Sequence, residues 1–144
     1  MELVEKGPIK YVGMQVTAAW DDLAAEMPLA WRTFIGLYDT ISVRASDTFT
    51  DVSLRQENET YTQLVAVEVD QIIDVPDGMV GIELPRQTYI HHRHTGPVDA
   101  IAATFGEMID WAAQEGHTVS ALKIDAGYTP GGTETGHDLY IGLV

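Results

Sequence analysis

An α+β fold, two pseudo-symmetric βαββ repeats with antiparallel strands and both main helices on one face, is what three features of the 144-residue sequence predict. First, the chain divides at a turn, Asp74-Val75-Pro76-Asp77-Gly78. Second, one order of periodicities, strand then helix then two strands, occurs on each side of that turn, over about residues 9–70 and 79–144. Third, each helix is followed closely by two stretches of strand-forming residues, which calls for hairpins rather than parallel crossovers. A chain of this length fits one domain covering residues 1–144 and buries enough surface to need no disulfide or metal staple.

The elements follow in order. Ile9 to Val16 reads as the first strand and a linker follows it. Pro28 suits the first turn of a helix, and Trp31, Phe34, Ile35, Tyr38 and Ile41 recur at helical spacing, so a helix is expected over 28–41. Thr50 to Gln56 and Tyr61 to Val69 are strands joined by the polar turn Gln56-Glu57-Asn58-Glu59. Met79 to His94 reads as one long strand, broken or bulged at Pro85 because proline cannot donate to a ladder. After Gly96-Pro97, the positions Val98, Ile101, Ala102, Phe105, Met108, Ile109 and Ala112 trace an amphipathic helix that Gly116 stops. Ser120 to Tyr128 and Asp138 to Val144 complete the second half, with a glycine-rich hairpin loop at Pro130 to Gly136.

Composition narrows the function. Eight Lys and Arg against 22 Asp and Glu leave a formal charge of −14. Such a surface repels nucleic acid and anionic membrane, both of which are bound by neutralising phosphates. There are no cysteines, so thiolate metal sites and cysteine nucleophiles are excluded. The N-terminal stretch lacks the basic start and apolar core of a signal peptide, and no apolar run reaches the ~20 residues of a membrane helix. A cytoplasmic location is therefore expected.

Several short stretches, in order and spacing, resemble the GyrI-like, or AraC-type, bacterial effector-binding domains. They are Tyr11-Val12-Gly13-Met14, Val75-Pro76-Asp77-Gly78-Met79, Leu84-Pro85, Tyr89, His94-Thr95-Gly96-Pro97 and Trp111. The resemblance spans residue 10 to the C-terminus. It implies a pair of βαββ units forming one antiparallel sheet around a central cleft. It also implies a free-standing small-molecule binder rather than a transcription factor, since no helix-turn-helix module precedes the matched region. Members of the family include drug sensors and occasional hydrolases, and one inhibits DNA gyrase.

The family places a glutamate on the strand after the second helix, facing the cleft and pairing with cationic aromatic ligands. Counting eight residues on from His117 lands on Asp125 in Leu122-Lys123-Ile124-Asp125-Ala126-Gly127-Tyr128. Asp stands in place of Glu, and Gly127 in place of the usual tyrosine. A shift of two residues puts Lys123 there instead and reverses the charge preference. A carboxylate in an apolar cleft is costly to desolvate, and an arriving cation offsets that cost. The bland alternative is that Asp125 simply pairs with Lys123, two along on the same strand face.

Aromatic wall candidates are Trp20 in the expected linker, with Tyr11, Trp111 and Tyr140; Trp31, Tyr61 and Tyr128 join them as alternatives. In the run His91-His92-Arg93-His94, His92 and His94 share one face if the segment is extended, which makes His92 a cleft candidate. No metal-binding spacing such as His-Glu-x-x-His accompanies the run, and neither metal nor cofactor is expected. Gly131 to Gly136 lacks the Gly-Lys-[Ser/Thr] of a phosphate loop, and no Gly-x-Ser-x-Gly elbow occurs. Three functions remain: a binder of an apolar, cationic or neutral aromatic molecule; a hydrolase of a reactive small molecule in the same cleft; and an acidic protein-binding modulator of the gyrase-inhibitor kind.

Overall fold

A computed structural model describes residues 1–132 and 136–144. Thr133, Glu134 and Thr135 of the expected hairpin loop lie outside the described residues. The elements are β1 (Glu2–Lys6), β2 (Ile9–Ala19), α1 (Trp20–Leu37), β3 (Arg44–Glu57), β4 (Thr60–Val69), β5 (Val80–Leu84), β6 (Gln87–Thr95), α2 (Ile101–Gln114), β7 (Val119–Tyr128) and β8 (Gly136–Leu143). Among the described residues, no helix is long and apolar enough to cross a membrane.

All eight strands join one antiparallel sheet in the order β1-β6-β8-β7-β3-β4-β2-β5. The first repeat occupies β3-β4-β2 and the second β7-β8-β6, so a twofold relation passes between β3 and β7. The first repeat carries one strand more than expected, β1, and the long strand expected over Met79 to His94 is split at Pro85 into β5 and β6. The first strand of each half, β1 or β5, leaves its own repeat and pairs with the other, β1 on β6 and β5 on β2. β1 has no strong periodicity, and its edge position comes only from pairing with residues 87–91.

The exchange forces the sheet to curl. Only Gly7 and Pro8 connect β1 to β2, a reach of at most about 11 Å, although those strands lie near opposite ends of the strand order. Pro85 and Arg86 make the corresponding corner between β5 and β6, where the expected break at Pro85 is found. The two corners touch: a Cβ on Gly7, whose φ is +117°, would lie 2.8 Å from the Arg86 Cα. Only glycine tolerates both that backbone and that approach.

Alternation along the strands divides the interior. One face carries Tyr11, Val52, Leu64, Tyr89 and Ile124 inside the curl. The other carries Phe34, Phe49, Val65 and Val67 under α1, and Ile90, Met108, Leu139 and Ile141 under α2. The central stretch of β4, Leu64 to Val67, is buried on both faces, and this is why its sequence is unbroken apolar rather than alternating.

One helix departs from expectation. α1 begins at Trp20, directly after β2, so the expected linker does not exist and Pro28 lies inside the helix rather than in its first turn. Leu23, Met27, Ala30 and Phe34 form one continuous stripe at spacings of four, three and four, which carries the helix through the proline. Pro28 removes the N–H that would bond the Ala24 carbonyl, and its ring crowds that carbonyl. Asp21 and Asp22 in the first turn favour the positive end of the helix dipole in the absence of a side-chain cap. The helix ends at Leu37, and a short 3-10 turn over Tyr38–Thr40 leaves Ile41 extended.

Candidate functional site

Each helix covers the outer strands of its own repeat. α1 packs on β2 and β4 and reaches the central pair where Phe34 and Trp31 meet Phe49 of β3 and Tyr128 of β7, α2 packs on β6, and between the two helices a strip of β3 and β7 stays open. The uncovered strip is a cleft of about 600 Å³. That is within the range of small-molecule sites. Trp20 and Leu23 of α1 wall one side, and Ile101, Phe105 and Ile109 of α2 the other. The floor is polar because the apolar residues of β3 and β7, Val52, Leu122 and Ile124, point to the opposite face. Period-two alternation then turns Asp51, Ser53 and Arg55 of β3, with Ala121, Lys123 and Asp125 of β7, toward the helices. Both Asp125 and Lys123 therefore line the cleft.

Asp51 and Asp125 are register partners across β3 and β7. They stand on the internal twofold, one from each repeat, with cross-strand Cβ atoms about 4.5–5.5 Å apart. Their surroundings differ. The Tyr128 hydroxyl donates to Asp125 Oδ2 at 2.5 Å, and His137 Nδ1 lies 2.7 Å from Oδ1. A carboxylate only accepts, so ionised Asp125 requires the proton on His137 Nδ1. Burial pushes the Asp125 carboxyl upward, while Tyr128 and His137 oppose the rise. Burial and then the Asp125 charge push Asp51 up to about 7, against a hydrogen bond from the Trp31 side chain. Two like charges facing each other in a poorly solvated groove resist simultaneous ionisation.

Local backbone geometry assembles this group. In a regular strand Asp125 and Tyr128, three apart, would point to opposite faces. Phe49 faces Tyr128 while Thr50 faces Ala126, so Gly127 is the extra residue of a bulge. Its φ is +134°, and a Cβ there would come within 2.9 Å of the Gly136 carbonyl oxygen. Glycine at 127 thus returns Tyr128 to the cleft face, where its ring lies 4.9 Å from Trp31.

Of the residues singled out from sequence, Asp125, its alternative Lys123, Trp20, Tyr61 and Tyr128 line this cleft. Trp20 stands at its mouth, 68% exposed, with its ring centroid 5.5 Å from Tyr61. It is the first residue of α1 rather than part of a linker. Tyr11 and Tyr140 do not line the cleft. They alternate to the opposite face of the sheet and border a separate cavity of about 170 Å³ with Lys6 and Glu68. Trp111 also stands away from it, two residues beyond Ile109 and so about 200° round the helix, stacked on His117. His92 is likewise outside, with Nδ1 3.5 Å from the amino terminus. Burial and that amino group lower its pKa.

The other histidines of the run have separate partners. His91 bridges Glu2 and Asp138, each at 2.9 Å, and His94 contacts Thr104 Oγ1 at 2.9 Å and the Pro97 carbonyl at 3.0 Å. No cluster of three metal-ligating side chains occurs among the described residues. Nor does Asp125 pair with Lys123 there; its partners are Tyr128 and His137.

Sequence reasoning missed Asp51 and the contact of His137. Asp51 had a usable signal: it occupies in the first repeat the place that Asp125 holds in the second. The pairing of His137 with Asp125 had none, because it depends on the β7–β8 register, in which Asp125 faces Leu139.

The profile of Cass2, the integron-associated effector binding proteins, matches residues 2–142, and the chain belongs to this family. No curated protein matches it by sequence. Among solved structures it is similar to SAV2435 bound to tetraphenylphosphonium, with TM-score 0.76, 13% identity, and coverage of 99% of this chain and 93% of that one. An integron cassette protein from the mobile metagenome of Vibrio cholerae has TM-score 0.74 at 11% identity, with coverage of 99% and 95%. The C-terminal domain of EcmrR has TM-score 0.64 at 12% identity, with coverage of 99% and 96%.

Proposed function

We propose that this member of the integron-associated effector binding family acts as one effector-binding unit. Its ligand is an apolar aromatic molecule, cationic or neutral, held between α1 and α2 over β3 and β7. One observation carries the reading: the strip that the helices leave open has apolar walls and a floor bearing carboxylates on the internal twofold. Apolar walls reward burial of aromatic surface at roughly 25 cal/mol per Å². A cation about 4 Å from one carboxylate gains on the order of 4 kcal/mol at an effective dielectric of 20. Trp20, Val98 and Ile109, all exposed, give the mouth an apolar rim. Family membership and the tetraphenylphosphonium held by SAV2435 support the same reading.

Calorimetric titration with tetraphenylphosphonium tests it. The expected result is saturable one-to-one binding at pH 8, weakened about tenfold or more by Asp125→Asn. Absence of binding to this and other aromatic cations, or an Asp125→Asn variant with unaltered affinity, counts against the cleft or its anchor respectively.

A second reading, hydrolysis of a reactive small molecule in the same cleft, is favoured by Asp51 alone. An acid raised to about 7 is poised to give and take a proton near neutrality. Turnover of an electrophilic substrate, lost in both Asp51→Asn and Asp125→Asn, is the outcome that would place this reading first.

A further inference from the structure

We infer that Asp51 and Asp125 act as one proton-sharing unit, so that a singly charged aromatic cation enters the cleft in exchange for a proton. Resting on the cleft reading above, the inference narrows the ligand class and makes Asp51 a specificity-determining residue. The two carboxylates are register partners on the floor of one cavity, and their neighbours above it, Ile101, Phe105 and Ile109, are apolar. No helix places a charge between them to separate their fields. In the empty cleft a second negative charge therefore has little to balance it, and one proton stays on the pair. The elevated pKa of Asp51 is in keeping with that arrangement.

The other titratable and charged groups nearby leave this balance intact. Arg55 of β3 is half exposed and lies 3.7 Å from Glu57. Lys123 of β7 lines the cleft two residues from Asp125 and makes no salt bridge among the described residues. Tyr128 of β7 and His137 of β8 bond Asp125 from one side. His94 of β6 acts on Asp125 only through its field. From α1, the uncharged Trp31 side chain favours the ionised form of Asp51 and brings no charge to the pair.

A phosphonium among these side chains supplies the missing positive charge, and the shared proton leaves to solvent. A neutral aromatic of like shape expels nothing, because the protonated pair already carries only one charge. The cleft thus distinguishes cations from neutral molecules by pH, favouring the neutral class in acid.

Tetraphenylphosphonium has no titratable group, so any proton released on binding comes from the protein. Calorimetry at pH 6 in two buffers of different ionisation enthalpy is expected to show release of close to one proton. At pH 8.5 the release should be near zero. Kd should rise about tenfold for each unit of pH below 7, as a ligand that requires one ionisation demands. In Asp51→Asn the release at pH 6 and most of the pH dependence should disappear, while binding persists.

Binding at pH 6 with no proton release, or full release retained by Asp51→Asn, overturns the inference and leaves the cleft reading standing. Failure to bind at every pH overturns the cleft reading itself, and the exchange falls with it. Circular dichroism of Asp51→Asn guards against misfolding. A folded Asp51→Glu variant that recovers proton release supports the assignment independently.

Discussion

The two halves of this molecule share one plan and place an aspartate at equivalent positions, yet surround it differently. In the second half Asp125 accepts from a tyrosine hydroxyl and contacts an imidazole, both drawn from its own hairpin. In the first half Asp51 has an indole from the overlying helix. The packing beneath the helices diverges in parallel. α1 sets Phe34 edge to face on Phe49 at 5.0 Å within an aromatic cluster, whereas α2 sets Met108 on the aliphatic Ile90, Leu139 and Ile141. Duplication thus keeps an aspartate at one place in each half, while divergence gives the two aspartates different partners.

The sharpest way to break this comparison is to hollow each half in turn. Phe34→Ala should cost about 3–5 kcal/mol and Met108→Ala about 2–5, read as shifts in the urea midpoint at constant slope. Both side chains are fully buried, so equal and small losses would show that neither cluster holds its helix.

Next in size is the pH dependence of stability. Asp51 titrates at about 7 when folded and near the ordinary carboxylate value of about 3.9 when unfolded. Between those values the native state holds the extra proton, so stability conferred by that proton is present in acid and is lost as pH rises toward 7. Relative to Asp51→Asn, the unmutated protein should lose about 2–4 kcal/mol between pH 4 and pH 8. Parallel stability profiles for the two proteins would remove Asp51 from the account.

Gly127→Ala comes third. It places a side chain at φ +134° and 2.9 Å from a carbonyl oxygen, at a cost of about 1–3 kcal/mol. Because Tyr128 would lose its grip on Asp125, cation affinity should fall as well. Loss of stability without loss of affinity would separate the bulge from the site.

The smallest effect belongs to Trp20→Ala. At 68% exposure its removal should change stability by less than about 0.5 kcal/mol while weakening cation binding several-fold. An unchanged Kd would make Trp20 an ordinary surface residue.

Much of this was legible in the residues themselves. The α2 stripe from Ile101 to Ala112 and the apolar run of β4 carry their periods openly, and Pro85 ends β5 where proline must. α1 was half legible: Pro28 looked like a start signal, but the stripe beginning at Leu23 outweighed the bond the proline removes and the crowding of its ring. At the site, Asp125 could be found by counting along a resemblance, whereas Tyr11 and Tyr140 could not be assigned a side of the sheet until their registers were known.

The sequence by itself determined most of the strands and the presence of both helices, though not β1 or the first two turns of α1, that the order comes twice, and that the chain is acidic. These are local matters of period, composition and charge. Tertiary structure alone decided the exchange of β1 and β5, the bulge that turns Tyr128 back, and the meeting of Asp51 with Asp125. Each of those depends on which residues far apart in the chain become partners across a ladder, and a ladder's register is a choice made by the whole sheet rather than by either strand.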